Sequence, residues 1–432
     1  MKTLVRRVGH ATILGAALVA AVSAGAVGIP PVSRPEDVGF ASERLPRIHD
    51  TVQRYIDAHQ IAGAVTLVAR RGRVAHFEAH GQMDLEAKTP MRKDAIFRIA
   101  SMSKPVTGVA IAMLMEEGRL RLTDPVSRFI PSFRELQVAV VKRGVPAPPA
   151  VAGQPQPIPP YYTVPANREI TIRDLLTHTS GLESGNLGNR VGARLAPRDV
   201  SKTLADQVPL LAKVPLDFQP GSQWTYSLLA GMDTLSHIVE IASGQPYDRF
   251  LEQRIFRPLG MTDTGFVVPA GKAARIATLY NRTPKGIERG DTPAWLATKT
   301  FFSGGGGLWS TAEDYAQFAQ MLVNGGELGG VRLLSPRTVA YMASNHVGDL
   351  YTGNGAGAGV QGMGFGLSME VVLDNVRAGR HTSSGTFGWG GAFGTHFWVD
   401  PKEQLVGVLM VQTPVPEIRR DFESAVMQAL VD

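Results

Sequence analysis

Ser101-Met102-Ser103-Lys104-Pro105-Val106-Thr107 stands where the chain passes from Phe97-Arg98-Ile99-Ala100 into a long apolar stretch. From Ser103 to Glu117 apolar residues recur at helical spacing, with Val106, Val109, Ala110, Met113 and Leu114 on one face and Gly118 as the stop. A serine and a lysine three residues apart share a helix face. Serine is a poor nucleophile until a base takes its proton, and lysine acts as that base only where burial or nearby charge favours its neutral form. The helix start adds the backbone N–H of Ser101, aimed where an oxyanion would develop. Four residues alone equally describe an N-capping serine beside a solvated lysine, so the surrounding chain has to decide.

Upstream, Leu45, Ile48, Val52, Tyr55 and Ile56 fall on one face of a helix expected over 42–58. Ala64-Val65-Thr66-Leu67-Val68-Ala69 reads as a buried strand, Arg71-Gly72 as a turn, and Val74 to His80 as the returning strand of a hairpin. Downstream, eight prolines fall in the twenty residues from Pro146 to Pro165, which predicts a stiff, extended surface segment over 145–165. Helical periodicity returns at Ile172–Leu176, Leu228–Ala242 and Tyr247–Phe256. Ser310-Thr311-Ala312-Glu313 reads as a capping box opening a helix through Leu322. Strands are expected at Thr395–Val399 and Leu405–Val411, then a last helix near Asp421–Val431. Strands early, helices in the middle and strands late imply an α/β sheet domain closed by both chain ends, over 30–125 and 295–432, with a mainly helical insertion over 126–294.

Composition bounds the chemistry. The 432 residues carry 44 Lys+Arg against 38 Asp+Glu, a formal charge of +6, and no cysteine. Disulfides, Cys-ligated zinc, iron–sulfur clusters and thiol nucleophiles are therefore excluded. Lys2, Arg6 and Arg7 precede an uncharged stretch from Ala11 to Ser33, and Val22-Ser23-Ala24 and Ala24-Gly25-Ala26 are small-residue cleavage sites. Residues 1–26 thus read as a cleaved export signal, giving a periplasmic or secreted protein whose net charge after cleavage is +3. No basic run of five or more follows, so nucleic acid is not an expected partner, and no second apolar stretch has spanning length.

Four further stretches recur with the opening one: Leu122-Thr123-Asp124-Pro125-Val126, Leu175-Leu176-Thr177-His178-Thr179-Ser180-Gly181-Leu182, Tyr226-Ser227-Leu228 and Trp389-Gly390-Gly391. In this order they resemble the serine β-lactamase and penicillin-binding-protein-like hydrolases, most closely the family VIII carboxylesterases, over roughly residues 35–430. The resemblance implies an antiparallel sheet flanked by helices. It implies Ser101 as the acylated nucleophile, with Lys104 and Tyr226 as its proton-handling partners. A phenol and an amine in contact share one proton as a coupled pair, and which of them is the base stays open. By the same resemblance Ala392 would supply the second oxyanion N–H beside that of Ser101, and Trp389, Gly390, Gly391 and Leu228 would line the substrate site.

Two departures bear on substrate. β-Lactamases commonly carry Asn where this chain has Leu228, and a lysine that recognises the substrate carboxylate where it has Trp389. An apolar ring in place of a fixed cation favours neutral short-chain or aryl esters over anionic lactams. The implied activity is a serine carboxylesterase acting on a small-molecule ester without cofactor or metal. The alternatives are a β-lactamase or D-alanyl-type peptidase, an acyltransferase, and a non-enzymatic acylated sensor.

Other signals rank lower. The chain contains no G-x-S-x-G, which argues against a nucleophile elbow. His76, Glu78 and His80 share a strand face but lack the H-E-x-x-H order, and a solvated face is expected there rather than a metal site. Ser303-Gly304-Gly305-Gly306-Gly307 lacks a following Gly-Lys-Ser/Thr and is expected to let backbone pass close to the site. His178 is expected to be structural, and His396 is a weaker candidate for a triad base.

Overall fold

The hairpin expected near the chain start forms the sixth and seventh strands of an eight-stranded sheet, toward one edge. The computed structural model describes residues 28–146, 148–149, 156–293, 298–353 and 361–432. The expected export signal and part of the Pro-rich segment lie outside the described residues. The principal elements are α1 (Pro46–Asp57), β1 (Gly63–Arg70), β2 (Arg73–Asp84), β3 (Thr89–Pro90), α2 (Ser103–Glu116), α3 (Ala230–Ser243), α4 (Ala312–Val323), β4 (Met363–Phe365), β5 (Glu370–Val372), β6 (Phe387–Gly390), β7 (His396–Asp400), β8 (Leu405–Val411) and α5 (Glu417–Met427). The sheet order is β4-β5-β6-β7-β8-β1-β2-β3, and every neighbouring pair is antiparallel.

β1 lies between β8 and β2 with Val65 opposite Met410 and Ala79, which joins the two ends of the chain. It is buried at every position because both faces are covered. Val65, Leu67 and Ala69 enter the large core with α2 and α4, while Ala64 and Val68 pack with Ile48 and Val52 of α1 and Phe422 and Val426 of α5.

Among the described residues, those between β3 and β4 add no strand to this sheet. They supply α2, a mostly helical region that includes α3, and α4. Within the Pro-rich stretch Tyr161–Pro165 pairs with Gln137–Val141 as a separate two-stranded ribbon, extended as its prolines require.

Several local readings shift. α2 buries every residue from Ser103 to Leu114, so it is a central helix rather than an amphipathic one, and its Gly118 exit has φ +71°. α4 is capped one residue later than the Ser310 box: the Thr311 side chain accepts from the Asp314 N–H, and Ser310 Oγ pairs with Thr264. The last helix begins at Glu417, four residues before the expected Asp421, placing Phe422 edge-on against Trp398. The face of His76, Glu78 and His80 is not solvated as expected. α1 lies over it, His80 is 2% exposed, and Thr66 Oγ1 contacts His76 Nε2 at 2.8 Å and His80 Nε2 at 2.9 Å.

Candidate active site

The approach to Ser101 is strained and tightly held. Ala100 has φ +44°, the left-handed region, which costs a non-glycine residue about 1–3 kcal/mol where nothing compensates it. The flanking bonds hold the turn in place: Ile99 N–H donates to Leu308 O (3.1 Å), Met102 N–H to Ile99 O (3.0 Å), and the buried Tyr315 hydroxyl to Met102 O (2.8 Å). Ser101 then lies in the 3-10 turn Ala100–Met102 that leads into α2, partly exposed, while Lys104 one turn on is fully buried.

Lys104 Nζ has three polar neighbours: Leu228 O at 2.7 Å, Gly305 O at 2.7 Å and Ser101 Oγ at 3.3 Å. Among the described residues no carboxylate pairs with it. A neutral amine fits this environment completely, with its two N–H bonds on the two carbonyls and its lone pair facing the serine hydroxyl. An ammonium fits as well, donating its third proton to Oγ. The site can therefore hold both protonation states without an orphaned group, as a proton shuttle requires.

Tyr226 is the roof of this arrangement. Lys104 Nζ lies 4.8 Å from the centre of its ring, and its hydroxyl accepts from Trp389 Nε1 at 3.4 Å. Trp389 packs against Tyr226 (5.5 Å between ring centres) and stands edge-on to Phe365 (5.3 Å). His178, at φ +58°, lies 4.6 Å from the Tyr226 ring and accepts the Ser227 N–H through Nδ1 at 3.3 Å. Complete burial, and then the charge of Lys104, push the His178 pKa well below the usual imidazole value, so the ring is a neutral acceptor. Its place is structural, as expected. Ser227 Oγ donates to Leu182 O at 2.9 Å and accepts from the Gly231 N–H at 3.1 Å, tying this motif to α3. The Leu228 side chain is 57% exposed, so its backbone faces the lysine while its side chain remains open to a ligand.

The opposite wall comes from the turn after β6. A Cβ on Gly391 would overlap both Ile99 O and Thr395 Oγ1, so only glycine lets this turn lie against the residues preceding Ser101. Gly391 N–H donates to Thr395 O at 2.8 Å, and Thr395 Oγ1 to Ile99 O at 3.3 Å. Neither the Ser101 nor the Ala392 N–H takes a backbone acceptor among the described residues. Both remain available to an oxyanion.

The polyglycine stretch does bring backbone close to the site. A Cβ on Gly304 would overlap Ser236 Oγ, one on Gly305 would press on Leu229, and the Gly305 carbonyl is a ligand of Lys104. Sequence reasoning found this close approach but not the carbonyl, because a backbone acceptor has no side-chain signature. Arg419 of α5 was also missed. It lies beneath Gly390, and its NH2 donates to Gly391 O at 2.5 Å, bracing the turn after β6 from behind. A lone arginine in an amphipathic helix gives no signal of such a role.

His396 is not part of the serine's hydrogen-bonding set. It pairs with Gly390 and Leu409 in the sheet, stacks with Trp398, and borders a cavity of about 290 Å³ with Arg380, Arg419 and Glu370. Burial, then Arg419 and Arg380, hold its pKa well below the usual value. Lys104, not a histidine, is the group hydrogen-bonded to Ser101 Oγ.

The family model described as Beta-lactamase matches residues 48–430. The chain is 36% identical over 385 residues to Protein Rv1367c of Mycobacterium tuberculosis, covering 87% of this chain and 92% of that one. It is 32% identical over 415 residues to Esterase EstB of Burkholderia gladioli, covering 90% and 94%. Among solved structures it is similar to EstCE1, described as a hydrolase with promiscuous acyltransferase activity, with a TM-score of 0.73, 28% identity, and coverage of 89% of this chain and 99% of that one.

Proposed function

The chain belongs to the β-lactamase family, and from that premise and the site geometry we propose that it is a serine esterase working through an acyl-enzyme at Ser101. The observation that carries this reading is the buried Lys104 amine, held by two carbonyls with the Ser101 hydroxyl as its third partner. Ser101 Oγ bonds to the ester carbonyl carbon as its proton passes to the lone pair of Nζ. The carbonyl oxygen becomes an oxyanion facing the N–H groups of Ser101 and Ala392. Collapse breaks the bond to the alcohol oxygen, which takes a proton from the Lys104/Tyr226 pair. Water then adds to the acyl carbon, its proton returns to the same pair, and the acid leaves with Ser101 restored.

In this arrangement Lys104 is the acylation base, since it is the group in hydrogen-bond contact with Oγ, and Tyr226 relays the proton to the leaving alcohol. The exposed Leu228, and Trp389 where β-lactamases carry a lysine, favour neutral acyl or aryl esters over anionic lactams. The N-terminal charge and cleavage pattern supports export, which N-terminal sequencing of the protein recovered from the periplasm or medium tests.

The deciding experiment is p-nitrophenyl butyrate hydrolysis by wild type and Ser101→Ala, with nitrocefin and a D-alanyl peptide in parallel. Turnover of the ester that Ser101→Ala abolishes supports the esterase reading. Ester turnover that survives in Ser101→Ala refutes Ser101 as nucleophile. Faster turnover of the lactam or peptide moves the assignment to the family's other reaction types. Adding an acceptor alcohol and measuring transesterification separates hydrolysis from the acyl transfer named for EstCE1.

A further inference from the structure

On the sheet face away from α2, three side chains from two elements converge on one point. His49 comes from α1, and Glu78 and His80 come from alternate positions of β2. Their ligand atoms all lie within 4.8 Å of one another. His49 Nδ1 is 2.7 Å from Glu78 Oε1, and His80 Nδ1 is 3.8 Å from the same oxygen. Tetrahedral zinc with ligand bonds of about 2.0–2.1 Å separates its ligand atoms by about 3.3 Å. The two spacings to Glu78 bracket that value, and the two histidine ligand atoms lie within 4.8 Å of one another.

An independent observation singles out His80. Its ring is fully buried, and its Nδ1 has no hydrogen-bond partner among the described residues. A buried nitrogen normally has one, and its absence calls for an explanation. The other nitrogen is already engaged. Thr66 Oγ1 touches both His80 Nε2 and His76 Nε2. One hydroxyl has one proton, so at least one of those two nitrogens must donate to it. With His80 as the donor through Nε2–H, its Nδ1 carries a bare lone pair 3.8 Å from Glu78 Oε1. A metal-ligating histidine is oriented in this way, by a hydrogen bond from its far nitrogen.

We propose that His49, Glu78 and His80 form a binding site for a divalent transition-metal cation of the zinc class, with Thr66 positioning His80. Two imidazoles and one carboxylate are a donor set for zinc, cobalt, nickel or copper rather than for calcium or magnesium. The cation clamps α1 to the β1–β2 hairpin. Because α2 and Ser101 lie on the opposite face of the sheet, the clamp contributes to stability and not to ester chemistry.

The test uses untagged protein stripped with chelator and titrated with Co(II), following visible absorbance and stoichiometry by equilibrium dialysis. The expected result is one Co(II) per chain with the intense absorption of a four- or five-coordinate site, displaced by Zn(II). His49→Ala and Glu78→Gln, both at partly exposed positions, weaken binding at least tenfold. Thr66→Val weakens it by about 10–100-fold. The exposed control His381→Ala leaves it unchanged, and p-nitrophenyl butyrate turnover is the same with and without metal. Absence of binding in wild type overturns the proposal, as does binding that either His49→Ala or Glu78→Gln leaves unchanged.

Discussion

Replacing Gly391 by alanine tests the geometry on which the serine site rests. The added methyl would overlap Ile99 O and Thr395 Oγ1. The threonine side chain can turn away. The carbonyl cannot, because Ile99 O accepts the Met102 N–H and is two residues from Ser101. To reach an ordinary contact, the turn and the Ile99–Ser101 backbone must part by about 1 Å. Forced overpacking of this kind costs about 1–3 kcal/mol in stability, which a folded enzyme of this size survives. Separating the Ser101 and Ala392 N–H groups by the same amount has a larger kinetic effect. Misplacing one oxyanion donor or the nucleophile by about 1 Å lowers kcat by about 100-fold. Initial-rate kinetics with p-nitrophenyl butyrate should show that loss mainly in kcat, alongside a fall of a few degrees in Tm. Gly271→Ala, whose added methyl meets open space, is the control and should leave both unchanged. A Gly391→Ala enzyme with kcat within about twofold of wild type would refute the reasoning that the close approach of this turn sets the oxyanion geometry.

Other consequences follow from the same structure. Lys104→Met should abolish ester turnover and leave the Leu228 and Gly305 carbonyls without their donor, at about 1–3 kcal/mol each, visible as a lower urea midpoint. Trp389→Ala should raise KM and slow turnover while a fluorophosphonate still labels Ser101; unchanged ester kinetics would remove Trp389 from substrate positioning. Glu183 is raised to a pKa of about 7, chiefly by burial, from the ordinary glutamate value of 4.5. Its ionisation therefore penalises the folded state: the penalty is absent below pH 4.5, grows between 4.5 and 7, and is complete above 7. Glu183→Gln should accordingly stabilise the protein by about 3 kcal/mol at pH 8 and by little at pH 5, measured by urea unfolding at both. Equal gains at the two pH values would show that the group is not held neutral by its surroundings.

The sequence was most legible where local rules and burial agree. β8 occupies Leu405–Val411 as expected from an almost wholly apolar run, and α2 starts at Ser103 because the preceding turn and the apolar spacing point the same way. Boundaries moved where a neighbour decided them: Pro46 sets the start of α1, Thr311 rather than Ser310 caps α4, and the fit of Phe422 on Trp398 draws α5 toward the amino terminus.

The same division holds at the site. The residue types and order of Ser101, Lys104, Tyr226 and Trp389 were readable in one dimension, because nucleophile, amine, phenol and ring each have a distinctive side chain. What the tertiary structure decided were the contacts made by groups every residue possesses or by residues far apart in the chain. The Leu228 and Gly305 carbonyls hold the lysine amine, and Arg419 braces the Gly391 turn. The strand face carrying His76, Glu78 and His80 looked solvated until α1 was found to cover it. Periodicity reports which residues share a face, but what that face meets depends on which distant segment packs there.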